Sequence, residues 1–158
     1  MLYVSIKQQR MYHYKEGNCV KAYVVSTSKK DPSCVENSLG TPWGLHKISK
    51  VIGVGEPEGM VFKGRQPIGL RYWECDDATQ SENLITSRIL RMEGLEDGLN
   101  RGPGIDTFDR YVYIHGTNHE LKLGSPASSG CIQVSNADAI ELSECIPVGT
   151  ILYITAKS

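Results

Sequence analysis

Short β-prone runs, each cut off by glycine, proline or asparagine, recur along the whole 158-residue chain. Leu2, Val4 and Ile6 alternate with Tyr3, Ser5 and Lys7, the period of a half-buried strand. Lys15-Glu16-Gly17-Asn18 is a turn signal, because Gly and Asn tolerate positive φ. Cys19 to Thr27 is rich in β-branched and aromatic residues, as a second strand should be. The two runs are expected to form a hairpin. Residues 28–46, with Pro32, Gly40, Pro42 and Gly44, read as a loop region. β-like runs follow around His46–Val54 and Gly59–Lys63, and the polar stretch Asp76–Asn83 reads as a surface loop. Ile85–Met92 reads as a strand through its Thr and two Ile. Gly94, Gly98, Gly102, Pro103 and Gly104 then make a long irregular segment, of a kind that often forms a lid or binding loop. Tyr111–Ile114 is strongly β-prone and ends at His115.

A helix is expected only near the end. Ser135 or Asn136 can cap it, Asp138 suits its positive N-terminus, and Ala139, Ile140, Leu142 and Ile146 supply an apolar face. Pro147 stops it, and Thr150–Thr155 is a closing strand. The expected fold is mainly β, sandwich or barrel-like, with one helix in the C-terminal half and a long irregular insert. One domain should span residues 1–158, since domains run to about 100–200 residues. The hydrophobic fraction of 40% argues against a membrane-spanning or disordered chain, and no run approaches the ~20 apolar residues of a membrane span. Seventeen basic against eighteen acidic residues give no electrostatic case for nucleic acid. Met1–Ser5 lacks the charged start and apolar run of a signal peptide. On that reading the chain is either cytoplasmic or a mature or trimmed form.

Two local constellations carry chemistry. His115-Gly116-Thr117-Asn118 follows the Tyr111–Ile114 run, and Ser128-Ser129-Gly130-Cys131-Ile132-Gln133 precedes the helix. A cysteine beside Gly and two Ser, ahead of a helix, is placed for nucleophilic work. The helix dipole and nearby N–H groups are expected to lower its pKa. Gly130 permits positive φ and close approach of substrate, and N–H groups around Cys131 can form an oxyanion hole. His115, at a strand end, is a fixed base. The site is expected between the last strands and the helix. The bland alternative is a small buried hydrophobe, which is what most cysteines are.

The pattern resembles the catalytic domain of the L,D-transpeptidases (YkuD-type), bacterial cell-wall cross-linking enzymes. Ile114-His115-Gly116-Thr117 matches one family segment and Ser128-Ser129-Gly130-Cys131 the other. Asn136-Ala137-Asp138-Ala139, Val148-Gly149-Thr150, and Ser26-Thr27 followed by Thr41-Pro42-Trp43-Gly44 are also similar. The resemblance spans about residues 2–155 and is weakest across 53–105. Two positions depart from it: Ser129 stands where His is common, and Gln133 where Arg or Asn is usual. The resemblance implies acyl transfer through a thiolate, without metal or cofactor. Cys131 would attack the L-centre carbonyl of a peptidoglycan stem tetrapeptide and release D-alanine. His115 would move the proton and the Gly116 carbonyl would hold the imidazole. Ser128, Ser129, Gly130, Gln133 and Thr117 would support the loop or contact substrate. The acceptor would be an amine on a second stem, a lysine of an anchored protein, or water, the last giving an L,D-carboxypeptidase. By the same resemblance the protein would work in the periplasm or cell envelope.

Other readings are weaker. His115 and His119 share the i,i+4 spacing of zinc ligands, but Gly116, Thr117 and Asn118 make a poor helix and the motif's Glu is absent. Cys19, Cys34, Cys75 and Cys145 show no Cys-x-x-Cys spacing. Arg88 and Arg91 could meet a substrate carboxylate and are not assigned to the site. A decayed peptidoglycan-binding module, with Gln133 as its sign, is the main non-catalytic alternative. Papain-like peptidases place Cys before His, the reverse of the order here.

Overall fold

A computed structural model describes residues 1–157. Its strands are β1 (Leu2–Ser5), β2 (Arg10–Lys15), β3 (Asn18–Val24), β4 (Gly44–Ile52), β5 (Met60–Lys63), β6 (Gln66–Arg71), β7 (Ile85–Gly94), β8 (Tyr113–Gly116), β9 (Ile132–Val134) and β10 (Ile151–Thr155). All belong to one mixed sheet in the order β3-β2-β1-β10-β4-β7-β5-β6, with β8 branching from β7 and β9 pairing β8. Pairing is parallel between β1 and β10 and between β8 and β9, and antiparallel elsewhere. The helices are α1 (Asp77–Gln80) and α2 (Asn136–Cys145).

The N-terminal region is a three-stranded meander rather than one hairpin. The Lys15–Asn18 turn joins β2 to β3, and β1 pairs with β2 through a turn at Ile6–Gln9. That turn carries no Gly, Pro or Asn. Buried Gln9 holds it instead: its Nε2 donates to Ile6 O and Thr27 Oγ1, each at 2.7 Å, and its Oε1 accepts from Thr27 N–H at 2.9 Å. β6 contains Pro67 and Gly69, which hide it in the sequence. It is an exposed edge strand, where proline is tolerated. Inside the polar 76–83 stretch, Asp76 caps the single turn α1 by accepting from Thr79 N–H at 2.7 Å. The 53–105 stretch thus holds β5, β6, α1 and the central strand β7, and its longest irregular run begins at 95 and continues to 112.

α2 forms as the sequence suggests. Ser135 caps it through Asp138 N–H at 3.1 Å, and the helix gives way at Ile146, before Pro147. It packs on β7 and β8, burying Ala139 and Leu142 with Leu90, Met92, Ile114, Ile132, Leu152 and Ile154. Successive strand residues face opposite sides, so Ile89, Tyr113 and Cys131 gather with Met60 and Phe62 in a second cluster. His46, buried, is a satisfied core histidine bonded to Gly44 O at 3.0 Å and Thr107 Oγ1 at 2.9 Å.

Candidate active site

His115 and Cys131 come from adjacent parallel strands. The β8–β9 register sets Ile114 beside Ile132 and His115 beside Gln133. Cys131 leads into β9 and touches Tyr113: the Tyr113 N–H donates to its Sγ at 3.3 Å. Alternation then puts Tyr113, His115 and Cys131 on one face, opposite α2. The expectation of a site between the last strands and the helix is therefore corrected. Ile114 and Ile132 face α2, and their neighbours must face away.

His115 is buried, and its Nδ1 lies 2.6 Å from Gly116 O. A carbonyl only accepts, so the proton sits on Nδ1 and the Nε2 lone pair is free. Gly116 allows the fit through its missing side chain: a Cβ there would stand 2.5 Å from Thr86 O and 2.9 Å from Asn136 Oδ1. Burial lowers the imidazole pKa from 6.5 to about 4, with the Gly116 hydrogen bond opposing it.

The Cys131 thiol behaves differently from the sequence expectation. Burial pushes it up to about 11, against the opposing pull of the Tyr113 N–H and the Arg110 guanidinium. The helix dipole does not help, because α2 starts only at Asn136, with β9 intervening; a helix field fades beyond the first turn. At neutral pH the pair is thiol and imidazole, both uncharged. The thiol donates to Tyr111 O at 3.7 Å. Tyr111 holds a left-handed φ of 56°, uncommon for a bulky residue.

The loop before β9 is tied from several sides. Ser128 Oγ donates to Cys131 O at 2.6 Å and accepts from Gly130 N–H at 3.2 Å. Gly130 takes φ 131°, which other residues rarely adopt, and its carbonyl accepts from Thr41 Oγ1 at 2.9 Å. Thr27 O accepts from Ala127 N–H at 2.9 Å and Ser128 N–H at 3.0 Å, while Ser26 and Gln133 exchange main-chain bonds at 2.8 and 2.9 Å. The distant Ser26-Thr27 and Thr41 segments are thus scaffolding for Cys131.

Cys131 opens on a cavity of about 290 Å³ shared with Leu39, Arg110, Tyr111, Ser129 and Gly130. Of the other candidates, exposed Ser129 reaches this cavity. Ser128 stays behind it as a brace. Thr117 is fully buried, its Oγ1 accepting from His119 N–H at 3.0 Å and its carbonyl from Asn136 Nδ2 at 2.9 Å. Gln133 is buried and donates to Asn83 Oδ1 at 2.5 Å. Neither lines the cavity.

Arg110 went unremarked in the sequence. It lines the cavity and clamps the facing loop, with Nη1 donating to Ser33 O at 3.0 Å and Nη2 to Gly40 O at 2.8 Å. Nothing in its local sequence marks it, since its partners lie some 70 residues upstream.

An imidazole fixed by a main-chain carbonyl, on the strand beside a cysteine at a cavity mouth, suits nucleophilic thiol chemistry. The chain belongs to the L,D-transpeptidase catalytic-domain family (YkuD type), whose family model matches residues 1–154. It is 45% identical over 162 aligned positions to a putative L,D-transpeptidase YkuD of Bacillus licheniformis, covering 92% of this chain and 98% of that protein. Solved structures share the fold at lower identity. An L,D-transpeptidase of Xylanimonas cellulosilytica superposes with TM-score 0.56 at 17% identity, over 98% of this chain and 59% of that one. L,D-transpeptidase 3 of Mycobacterium tuberculosis, in complex with a faropenem-derived adduct, gives TM-score 0.59 at 15% identity, over 98% and 59%. The chain therefore spans about three fifths of the length of these solved proteins.

Proposed function

We propose that this chain is a cysteine-dependent peptidoglycan L,D-transpeptidase. The observation that carries the reading is the His115 Nδ1–Gly116 O bond of 2.6 Å on the strand beside Cys131. It fixes the tautomer that leaves Nε2 as a base. The Cys131 thiol rotates away from Tyr111 O, gives its proton to His115 Nε2, and Sγ attacks the L-centre carbonyl of a stem tetrapeptide. Because thiol and imidazole start uncharged, proton transfer accompanies attack rather than preceding it. The carbonyl oxygen gains the negative charge. The Gly130 N–H already faces Ser128 Oγ, so the Cys131 N–H is the donor assigned to that oxyanion. Collapse breaks the peptide bond, His115 protonates the departing D-alanine amine, and a thioester remains on Cys131. An acceptor amine then loses its proton to His115, attacks the thioester and regenerates the thiol. The amine belongs to a second stem or to a lysine of an anchored protein. Water in its place gives L,D-carboxypeptidase activity. No metal or cofactor enters these steps, and the reading places the protein at the cell envelope.

The faropenem-derived adduct of the Mycobacterium tuberculosis relative suggests the first test, an imipenem challenge. Intact mass spectrometry should show one covalent adduct on the wild type and none on Cys131→Ala. A second arm feeds a stem tetrapeptide and reads D-alanine release and dimer formation by mass. An unmodified wild type that also leaves the tetrapeptide intact would establish the decayed-binder reading.

A further inference from the structure

A second cavity, of about 420 Å³, is lined by residues of β4, β5, β7 and the β5–β6 turn. Its lining includes Lys50, Arg65, Arg91 and Phe62, with Glu56 as the one carboxylate residue on it. Arg65 sits at the β5–β6 turn, where Gly64 and Arg65 both take left-handed φ, 56° and 66°. That is the geometry of a two-residue hairpin turn matched to strand twist. The turn brings the Arg65 guanidinium to 4.7 Å from the Tyr111 ring centre, and its Nη1 donates to Tyr113 OH at 3.3 Å. Arg91, on β7, stacks 3.5 Å over Phe108 and lies 5.1 Å from the same Tyr111 ring.

Two guanidinium groups thus share one ring, with an ammonium on the same cavity. Among the described residues, none of the three stands within ion-pair distance of an Asp or Glu. Like charges held together repel each other, and buried Arg91 Nε has no hydrogen-bond acceptor, which is costly. In a protein of net charge -1, a cavity with three cations and one carboxylate is a local exception. Arg91 Nη2 donates to Phe108 O at 3.0 Å; an anion with two oxygens would neutralise the pair, and a planar fork suits a carboxylate.

We infer that this cavity is a carboxylate subsite for the acyl-donor peptide. Arg65 and Arg91 hold an interior carboxylate of the stem while the next carbonyl along faces Cys131. The inference rests on the acyl-transfer reading of Cys131, and Arg65 in it is a specificity-determining residue. Arg65 and Cys131 touch the same two residues: the guanidinium meets the Tyr111 ring and Tyr113 OH, while Tyr111 O and Tyr113 N–H contact Cys131 Sγ.

The test separates binding from chemistry. Tetrapeptides with free interior carboxylates, or with these amidated one at a time, are titrated calorimetrically into Cys131→Ala. Amidation of one carboxylate should weaken binding about tenfold or more, the scale of a charge-assisted contact. Adding Arg65→Gln should remove that difference, and Arg65→Lys should keep part of it. On the wild type, the same amidation should raise KM for D-alanine release with little change in kcat. Equal binding of free and amidated donors, an unchanged difference in Arg65→Gln, or discrimination confined to the acceptor would overturn the subsite. Binding that discriminates without any D-alanine release would uphold the subsite and remove the acyl-transfer reading instead.

Discussion

At the scale of single residues the site depends on burial more than on charge. His115 is held neutral by burial, from 6.5 down to about 4, and Cys131 is held as a thiol, up to about 11. Both shifts favour the uncharged form, the direction desolvation dictates. The sign has a direct readout. A raised thiol pKa keeps the thiolate fraction small at neutral pH, so alkylation by iodoacetamide should rise steadily through pH 8.5 and still be climbing at pH 9.5. Mass spectrometry of the modified Cys131 over that range follows it. A plateau below pH 8.5 would mean a pre-formed thiolate, and with it a mechanism in which attack follows proton transfer. Both proposed chemical side chains can be picked out in the sequence, because a base and a nucleophile must be particular residue types. Their protonation states cannot, because these depend on surroundings that only folding assembles. Arg110 escaped for the same reason: its role lies in reaching Ser33 and Gly40 across space.

At the scale of elements, α2 packs on β7 and β8, on the face opposite His115 and Cys131. Ser135→Ala removes the hydrogen bond to Asp138 N–H and should cost about 1 kcal/mol. Urea unfolding should show that loss as a lower midpoint at unchanged slope. The rate of imipenem acylation should stay at the wild-type level, since the helix sits on the side away from Cys131; a parallel loss of acylation would place the helix field in the mechanism. α2 was readable because capping and apolar spacing act within a few residues. The Ile6–Gln9 turn was not, because Gln9 forms it with Thr27 of another segment. β9 is three residues long, too short for periodicity to show, yet its pairing with β8 sets Cys131 beside Tyr113.

At the scale of the whole molecule, the first and last strands meet inside the sheet, β1 pairing in parallel with β10. β10 inserts between β1 and β4, so the last strand lies near the centre of the sheet. Leu152 is fully buried there, while Tyr153 on the opposite face is 39% exposed. Leu152→Ala should therefore cost about 2–5 kcal/mol, and Tyr153→Ala clearly less, both read from denaturant midpoints. Equal losses would contradict the central placement of β10. The sequence by itself determined the mainly β character and the cap and extent of α2, and it singled out His115 and Cys131 as candidates, because alternation, capping and chemical type are local properties. Only the tertiary structure decided which face the pair occupies, what Thr41, Arg110 and Gln133 hold, and that Lys50, Arg65 and Arg91 line one cavity. Those outcomes follow from strand register and from contacts between distant segments, which no local pattern encodes.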